Sequence, residues 1–388
     1  MRYRKISAEL QEFLKAIPDF RRTDKGNIVH NLQDALLLLI VGRLARCVKR
    51  KDVLAFGMAH LTYLKRLGMF RKAGLPSEST LYRVEKGIDD KRMAELQSDF
   101  ARKMNPKKDK ALFKLIAVDG KCMRGTVQEN GRCPDIVGAY SVNDGLTVAT
   151  EMCEQKSNEI TAGPKLIEAV CRQYGNTSNI VFTADAMQCQ TNFLKAIMRH
   201  DAHFLVEVKS NQKALRWGLE DRLSVESPVD TCHVEPTLAH GRIESRTCKK
   251  YYADSLGIDT NKWGKSLTVI TVETTTANKK SGEQSNELRI YLTDLDEDAK
   301  VLDSVAKKHW AVETMHWTLD TVMEQDRIKR KHPQAARNLD TIQRLCLNIL
   351  SVWKSKRRKL ADRSKGVTEL LRTASLHMPF LIELLHLK

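Results

Sequence analysis

The 388-residue chain lacks any run of about 18 apolar residues, the length a membrane-crossing helix requires. Its longest apolar stretch runs only from Ala35 to Val41. No membrane partner is therefore expected. The opening decapeptide, MRYRKISAEL, has no apolar signal core, so the expected location is the cytoplasm. Nine cysteines are scattered, odd in number and without a Cys-x-x-Cys pair. That argues against a zinc knuckle and a disulfide framework, and for a reducing compartment. There is no internal repeat and no long low-complexity tract.

Acidic charge is also in short supply. Lys and Arg number 65 against 48 Asp and Glu, a net charge of +17, the balance of a protein that meets a polyanion. The excess is uneven. Residues 1–110 hold 25 basic and 13 acidic side chains, 111–300 hold 23 and 26, and 301–388 hold 17 and 9. A slightly acidic middle between basic flanks suits a carboxylate site served by segments that grip DNA.

The length is enough for two or three domains. Residues 1–110 read as helical, with Leu37, Ile40, Val41, Leu44 and Val48 at helical spacing and Ser77 as a helix cap in LPSESTLYRV. This segment is expected to be a DNA-binding helical domain, ending in the polar linker NPKKDK (105–110). The pattern then changes. LFKLIAVDG, DIVGAYSV and LTVATEMCE read as three strands, the last two joined by an Asn143-Asp144-Gly145 turn. A helix from Glu159 to Tyr174, the strand NIVFTADA, a helix from about Gln190 to His200 and the strand HFLVEVK follow. This is the element order of a ribonuclease H-like fold. The expected architecture is thus mixed α/β: a helical front, a first part of the core over 111–212, a β-rich insertion over 213–300, core helices over 301–355, and a basic helical tail over 356–388.

Asp119 and Asp185 each close a largely apolar strand (IAVDGK, FTADAM), so neighbouring strands would bring them to one sheet edge. Carboxylate oxygens there suit Mg²⁺, which takes one or two carboxylates plus phosphate oxygens. Two such ions can serve the attacking and leaving oxygens of an in-line displacement. On a helix read over 309–324, His309, Glu313, His316 and Asp320 share a stripe, with Trp310 and Trp317 on an adjacent stripe expected to pack inward. Glu313 would project from it toward the sheet edge.

These residues resemble the DDE-type insertion-sequence transposases, specifically the H-repeat-associated group. Matching blocks run in order: IPDFRR (17–22), LPSESTLYRV (75–84), IAVDGKCMRG (116–125), EQKSNEI (154–160), TADAMQCQ (183–190), VEVKSNQ (206–212), HGRIESR (240–246), IYLTDL (290–295), HWAVETMHWTLD (309–320) and ARNLDTIQRLCLNIL (336–350). The resemblance implies a catalytic and metal-binding triad of Asp119, Asp185 and Glu313. It implies Mg²⁺ as cofactor, with Mn²⁺ able to replace it and two ions when DNA is bound. It further implies double-stranded DNA as partner, a homodimer in the DNA complex, and a bacterial protein at the nucleoid when bound. The wider superfamily places a tyrosine seven residues before its glutamate, an arginine four before and a lysine seven after. Here those places hold Ala306, His309 and Asp320. Lys121, Arg124, Lys209, Asn211, Gln212, Arg242, Arg246 and His309 are candidate DNA contacts. Glu159, His316, Asp320, Glu324 and Asp326 are secondary candidates, the last two as reserves for the third acid. Two other readings stay open: a domesticated or inactive transposase-derived DNA-binding protein, and another ribonuclease H-like nuclease, which the long β insertion disfavours.

Overall fold

The computed structural model describes residues 3–387, apart from 23, 25, 27, 72, 105–110, 129–130, 154–158, 240–241, 265 and 280. The 105–110 linker therefore lies outside the described residues, as do parts of the 154–160 and 240–246 blocks. Six helices come first: α1 (Ala8–Ala16), α2 (Leu32–Leu44), α3 (Arg50–Ala59), α4 (Leu61–Leu67), α5 (Glu78–Gly87) and α6 (Asp90–Met104). The LLLLIV run makes α2 apolar on every side, and such a helix must be a core helix; almost every residue of it is buried. Asn31 caps it by accepting from the Asp34 amide at 2.6 Å. Asp34, itself buried, accepts from the Tyr3 hydroxyl at 2.7 Å and the Phe70 amide at 2.9 Å. Ser77 caps α5, accepting from the Thr80 amide at 3.2 Å.

The sheet follows: β1 (Lys114–Cys122), β2 (Asp135–Ser141), β3 (Leu146–Met152), α7 (Glu159–Tyr174), β4 (Ile180–Ala184), α8 (Thr191–Met198) and β5 (His203–Glu207). After these come α9 (Lys213–Leu223), β6 (Asp230–Ala239), β7 (Arg242–Tyr252), α10 (Thr260–Trp263), β8 (Thr268–Asn278) and β9 (Gln284–Thr293). The chain closes with α11 (Ala299–His309), α12 (Ala311–Trp317), α13 (Pro333–Ser355), α14 (Leu360–Arg363), α15 (Val367–Leu376) and α16 (Met378–His386). Among the described residues no helix is long and apolar enough to cross a membrane.

The strands form one nine-stranded sheet in the order β3-β2-β1-β4-β5-β9-β8-β7-β6. An antiparallel β1-β2-β3 meander followed by parallel β4 and β5 is the ribonuclease H-like core. Its central strands are continuous Val/Ile/Leu/Phe runs because helices cover both faces. Side chains alternate across the sheet. Leu115, Val181 and Leu205 pack with Leu302, Val305 and Ala306 of α11. Ile116, Phe182 and Phe204 belong to the core on the other side, with Leu166 and Ile167 of α7 and Phe193 of α8. The β-rich insertion extends this same sheet, because β9 pairs antiparallel with β5 through Leu205↔Thr293, Val206↔Leu292 and Glu207↔Tyr291. Only the end of β9 nearest that contact is buried; its first five residues are exposed, so the far end of the insertion projects as a ribbon.

One expected element is corrected. The helix read over 309–324 is not continuous. It breaks at Trp310, which ends α11 and starts α12, and after Trp317 it widens into a π turn over Thr318–Val322. The stripe drawn at helical spacing still faces the sheet: His309 bonds Thr183 of β4, His316 lies 3.2 Å from Asp119, and Asp320 pairs with Lys121 of β1.

Candidate active site

Strand register brings the two aspartates together. Parallel pairing of β1 with β4 ends at Val118↔Ala184, so Asp119 and Asp185 occupy the next step of the ladder. Neighbouring strands lie about 4.8 Å apart. Both residues follow the parity of Leu115 and Val181, so both face the α11 and α12 layer. Asp185 begins a short 3-10 turn, Ala186–Gln188, and accepts from the Met187 amide at 3.1 Å. Burial, then the Asp119 charge, raises its pKa, while the Gln188 and Met187 amides oppose the shift. Asn211 donates to the Ala186 carbonyl at 2.5 Å and Gln212 to the Cys189 carbonyl at 2.9 Å. The residues after β5 thus brace the turn that carries Asp185.

The ladder continues one strand further. Ala184 pairs with Val206, so Glu207 follows Asp185 in the same row, and it pairs with Lys209 at 2.9 Å. Sequence reading passed over Glu207, although it closes an apolar strand (HFLVE) just as the two aspartates do.

From the facing layer α12 supplies His316, whose Nδ1 lies 3.2 Å from Asp119 Oδ2 and whose buried Nε2 has no partner among the described residues. Glu313, one turn earlier, has no hydrogen bond or ion pair among the described residues. Burial first, then Asp119, raises its pKa, while Arg289 and Lys209 pull it down. The other helix acids are matched with cations: Asp320 forms an ion pair with Lys121, Asp326 lies 3.7 Å from Lys121 and 4.0 Å from Arg124, and Glu324 pairs with Arg327.

Glu159 enters from the opposite layer, at the start of α7. Burial, then Asp119 and Asp185, pushes its carboxyl up to about 7. The acids line a gap without closing it: among the described residues no three His, Cys, Asp or Glu side chains already stand close enough to hold one ion.

Several expected positions come out differently. Trp310 and Trp317 do not pack inward; they are 38% and 59% exposed, and the Arg289 guanidinium lies 4.0 Å over the Trp310 ring. His309 faces the sheet, where it is buried and bonded to Thr183 Oγ1 at 2.9 Å. Burial pushes the His309 ring down to about 4, so it is neutral and enclosed, and it offers no charge to a phosphate. Lys121 is buried with its charge committed to Asp320, and Arg246 is buried against Asp303. Arg124, Lys209 and Arg242 remain exposed.

A buried polar stack on α13 supports α12 and the segment after it. Arg344, fully buried, donates to Asp340 at 2.7 Å and to the Met315 sulfur at 3.7 Å. Gln325 donates to Asp340 and to Gln343, each at 2.9 Å, and Gln343 to the Met323 carbonyl at 3.0 Å. The matching block over 336–350 contains Asp340, Gln343 and Arg344, but their bracing role depends on which elements α13 meets.

The fold defines the class: a mixed α/β protein with a ribonuclease H-like core, here with strand-end carboxylates at one sheet edge. The particular family follows from comparison. The "Transposase DDE domain" family matches residues 111–349, and the "DDE_Tnp_1-associated" family matches residues 11–101. The chain belongs to the DDE-type transposase family. It is similar to "Putative transposase YncI" of Escherichia coli O157:H7, at 28% identity over 94% of this chain and 95% of that one. It is also similar to "H repeat-associated putative transposase YhhI" of Escherichia coli K12, at 29% identity over 88% of this chain and 90% of the relative. Among solved structures it is similar to a piggyBac transposase synaptic complex with hairpin DNA (TM-score 0.45, 11% identity, 98% of this chain and 78% of that one), a likeness too distant to carry an argument.

Proposed function

We propose that the protein cuts DNA at the inverted-repeat ends of a mobile element and joins the resulting 3′-hydroxyl ends to target DNA, with Asp119, Asp185 and Glu313 as its catalytic acids. The observation that carries this reading is the ladder step that sets Asp119 beside Asp185, facing the helix of Glu313, in a chain of the DDE family. Glu313 is favoured over Asp320, Glu324 and Asp326 because those three are already matched with Lys or Arg.

The donor set suits Mg²⁺, with Mn²⁺ able to replace it. Mg²⁺ is typically held by one or two carboxylates plus substrate phosphate oxygens, so an open arrangement fits a cation whose remaining ligands come from DNA phosphates. Two ions bound with DNA would activate the attacking water or 3′-hydroxyl and stabilise the leaving oxygen. The chain's own residues do the positioning. His316 holds the Asp119 carboxylate from the α12 side, and Asn211 and Gln212 fix the Asp185 turn. Arg124, Lys209 and Arg242, exposed around the site, are placed to meet phosphates. The basic flanks supply most of the affinity for double-stranded DNA, and two element ends would be held by a homodimer.

Purified protein should nick DNA carrying its terminal repeats in Mg²⁺ or Mn²⁺. Asp119→Ala should abolish cleavage and leave binding intact, and that binding should weaken steeply with salt. Unchanged cleavage by Asp119→Ala would overturn the assignment.

A further inference from the structure

Gly120 follows Asp119 in β1, and the alternation of the strand turns its face toward α7, away from α12. It is not among the glycines with positive φ, so its backbone suits any residue. Room is what requires glycine here. A methyl group added to Gly120 would lie 2.0 Å from both the carboxyl carbon and Oε1 of Glu159, and 2.3 Å from Oε2. The Glu159 carboxyl thus fills the space a side chain would take, at the strand position next to Asp119.

Its backbone is tied to the Asp185 turn. Buried Gln188 donates from Nε2 to the Glu159 carbonyl at 2.9 Å, and its own amide donates to the Asp185 carbonyl at 3.2 Å. A second glycine makes room for that tie: a methyl group at Gly163 would meet Gln188 Oε1 at 2.4 Å. The Glu159 carboxyl has no ion pair or hydrogen bond among the described residues, unlike Glu207, which is matched with Lys209. The charges that act on Glu159 are Asp119, Asp185 and Asp135, while the acids acting on Glu313 are Asp119 and Glu207. Asp119 therefore stands between two groups of acids.

We infer that Glu159 is a fourth carboxylate of the site, serving a divalent cation held at Asp119 and Asp185 from the α7 face, and that Gly120 is glycine to admit it. This rests on the metal-dependent reading above. Glu313 then serves from the α12 face and Glu159 from the α7 face.

The test is Mn²⁺ binding to the full-length chain without DNA, read by the electron paramagnetic resonance signal of free Mn²⁺ and by the rise in unfolding temperature that Mn²⁺ produces. Glu159→Gln, which keeps the side-chain shape, should weaken Mn²⁺ binding by about tenfold or more. Gly120→Ala should do the same by displacing an intact carboxylate, and adding Glu159→Gln to it should cost little further. Asp119→Asn should remove binding. If Asp119→Asn loses Mn²⁺ while Glu159→Gln binds it as the unaltered chain does, the fourth carboxylate is wrong and the triad stands. If Asp119→Asn binds Mn²⁺ undiminished, the metal-dependent reading itself falls. Circular dichroism checks folding, and Glu159→Gln decides alone if Gly120→Ala does not fold.

Discussion

Asp119 and Asp185 are neighbours because two parallel strands share a ladder, whereas Glu313, which feels the Asp119 charge, comes from a seven-residue helix flanked by a break and a π turn. The strand side is held by backbone hydrogen bonds, and each aspartate sits one residue beyond a paired, fully buried position. The helix side has no such ladder. Its placement depends on Arg344, Asp340, Gln343 and Gln325, buried polar groups that meet α12 and the following turns only in the folded chain. π turns of this kind often sit at functional sites, where they re-aim a side chain. The contrast teaches that acids proposed for one site can rest on supports of unequal reach, one local and one distant.

The largest effect expected is on the strand side. Asp185→Ala should lower cleavage by about a thousandfold, since metal-assisted stabilisation of this kind is worth several kcal/mol, while DNA affinity in a filter-binding or anisotropy assay stays unchanged. Next comes the support of the helix side. Arg344→Ala leaves Asp340 buried without its charged partner and should cost about 3 kcal/mol or more in urea unfolding. Cleavage by that variant should fall even at temperatures where it remains folded, and normal cleavage would break the claim that α13 positions Glu313. A smaller effect should follow Gln212→Ala, which removes one brace of the Asp185 turn: about 1 kcal/mol of stability, with a modest loss of cleavage. Smallest is Trp317→Ala. This side chain is 59% exposed, so thermal unfolding should shift by less than about 0.5 kcal/mol. A larger loss would mean that the helix side is held by its outer face as well.

Much of the fold was legible because strands and turns carry local signatures. Apolar runs that end in Asp119 and Asp185, the Asn143-Asp144-Gly145 turn and the span of α7 are each visible in a few neighbouring residues. Gly145 adopts φ +67° in that turn, a conformation that costs glycine little. The helix stripe was less legible. Trp310 and Trp317, expected to pack inward, are exposed instead, while His309 keeps the sheet-facing direction its spacing gave. Lys121 and Arg246 read as candidate DNA contacts because sequence shows charge but not partners, and each has a buried aspartate or a site acid against it.

By itself the sequence determined the element order, the two strand-end aspartates, the basic flanks and the family, since each is written in residues close together or in blocks that match in order. Only the tertiary structure decided which of the helix acids stands without a cation, that Glu207 joins the row of strand-end acids, and that Glu159 reaches past Gly120 from the opposite face. Those are meetings between distant segments, set by ladder register and side-chain packing, and no local pattern specifies them.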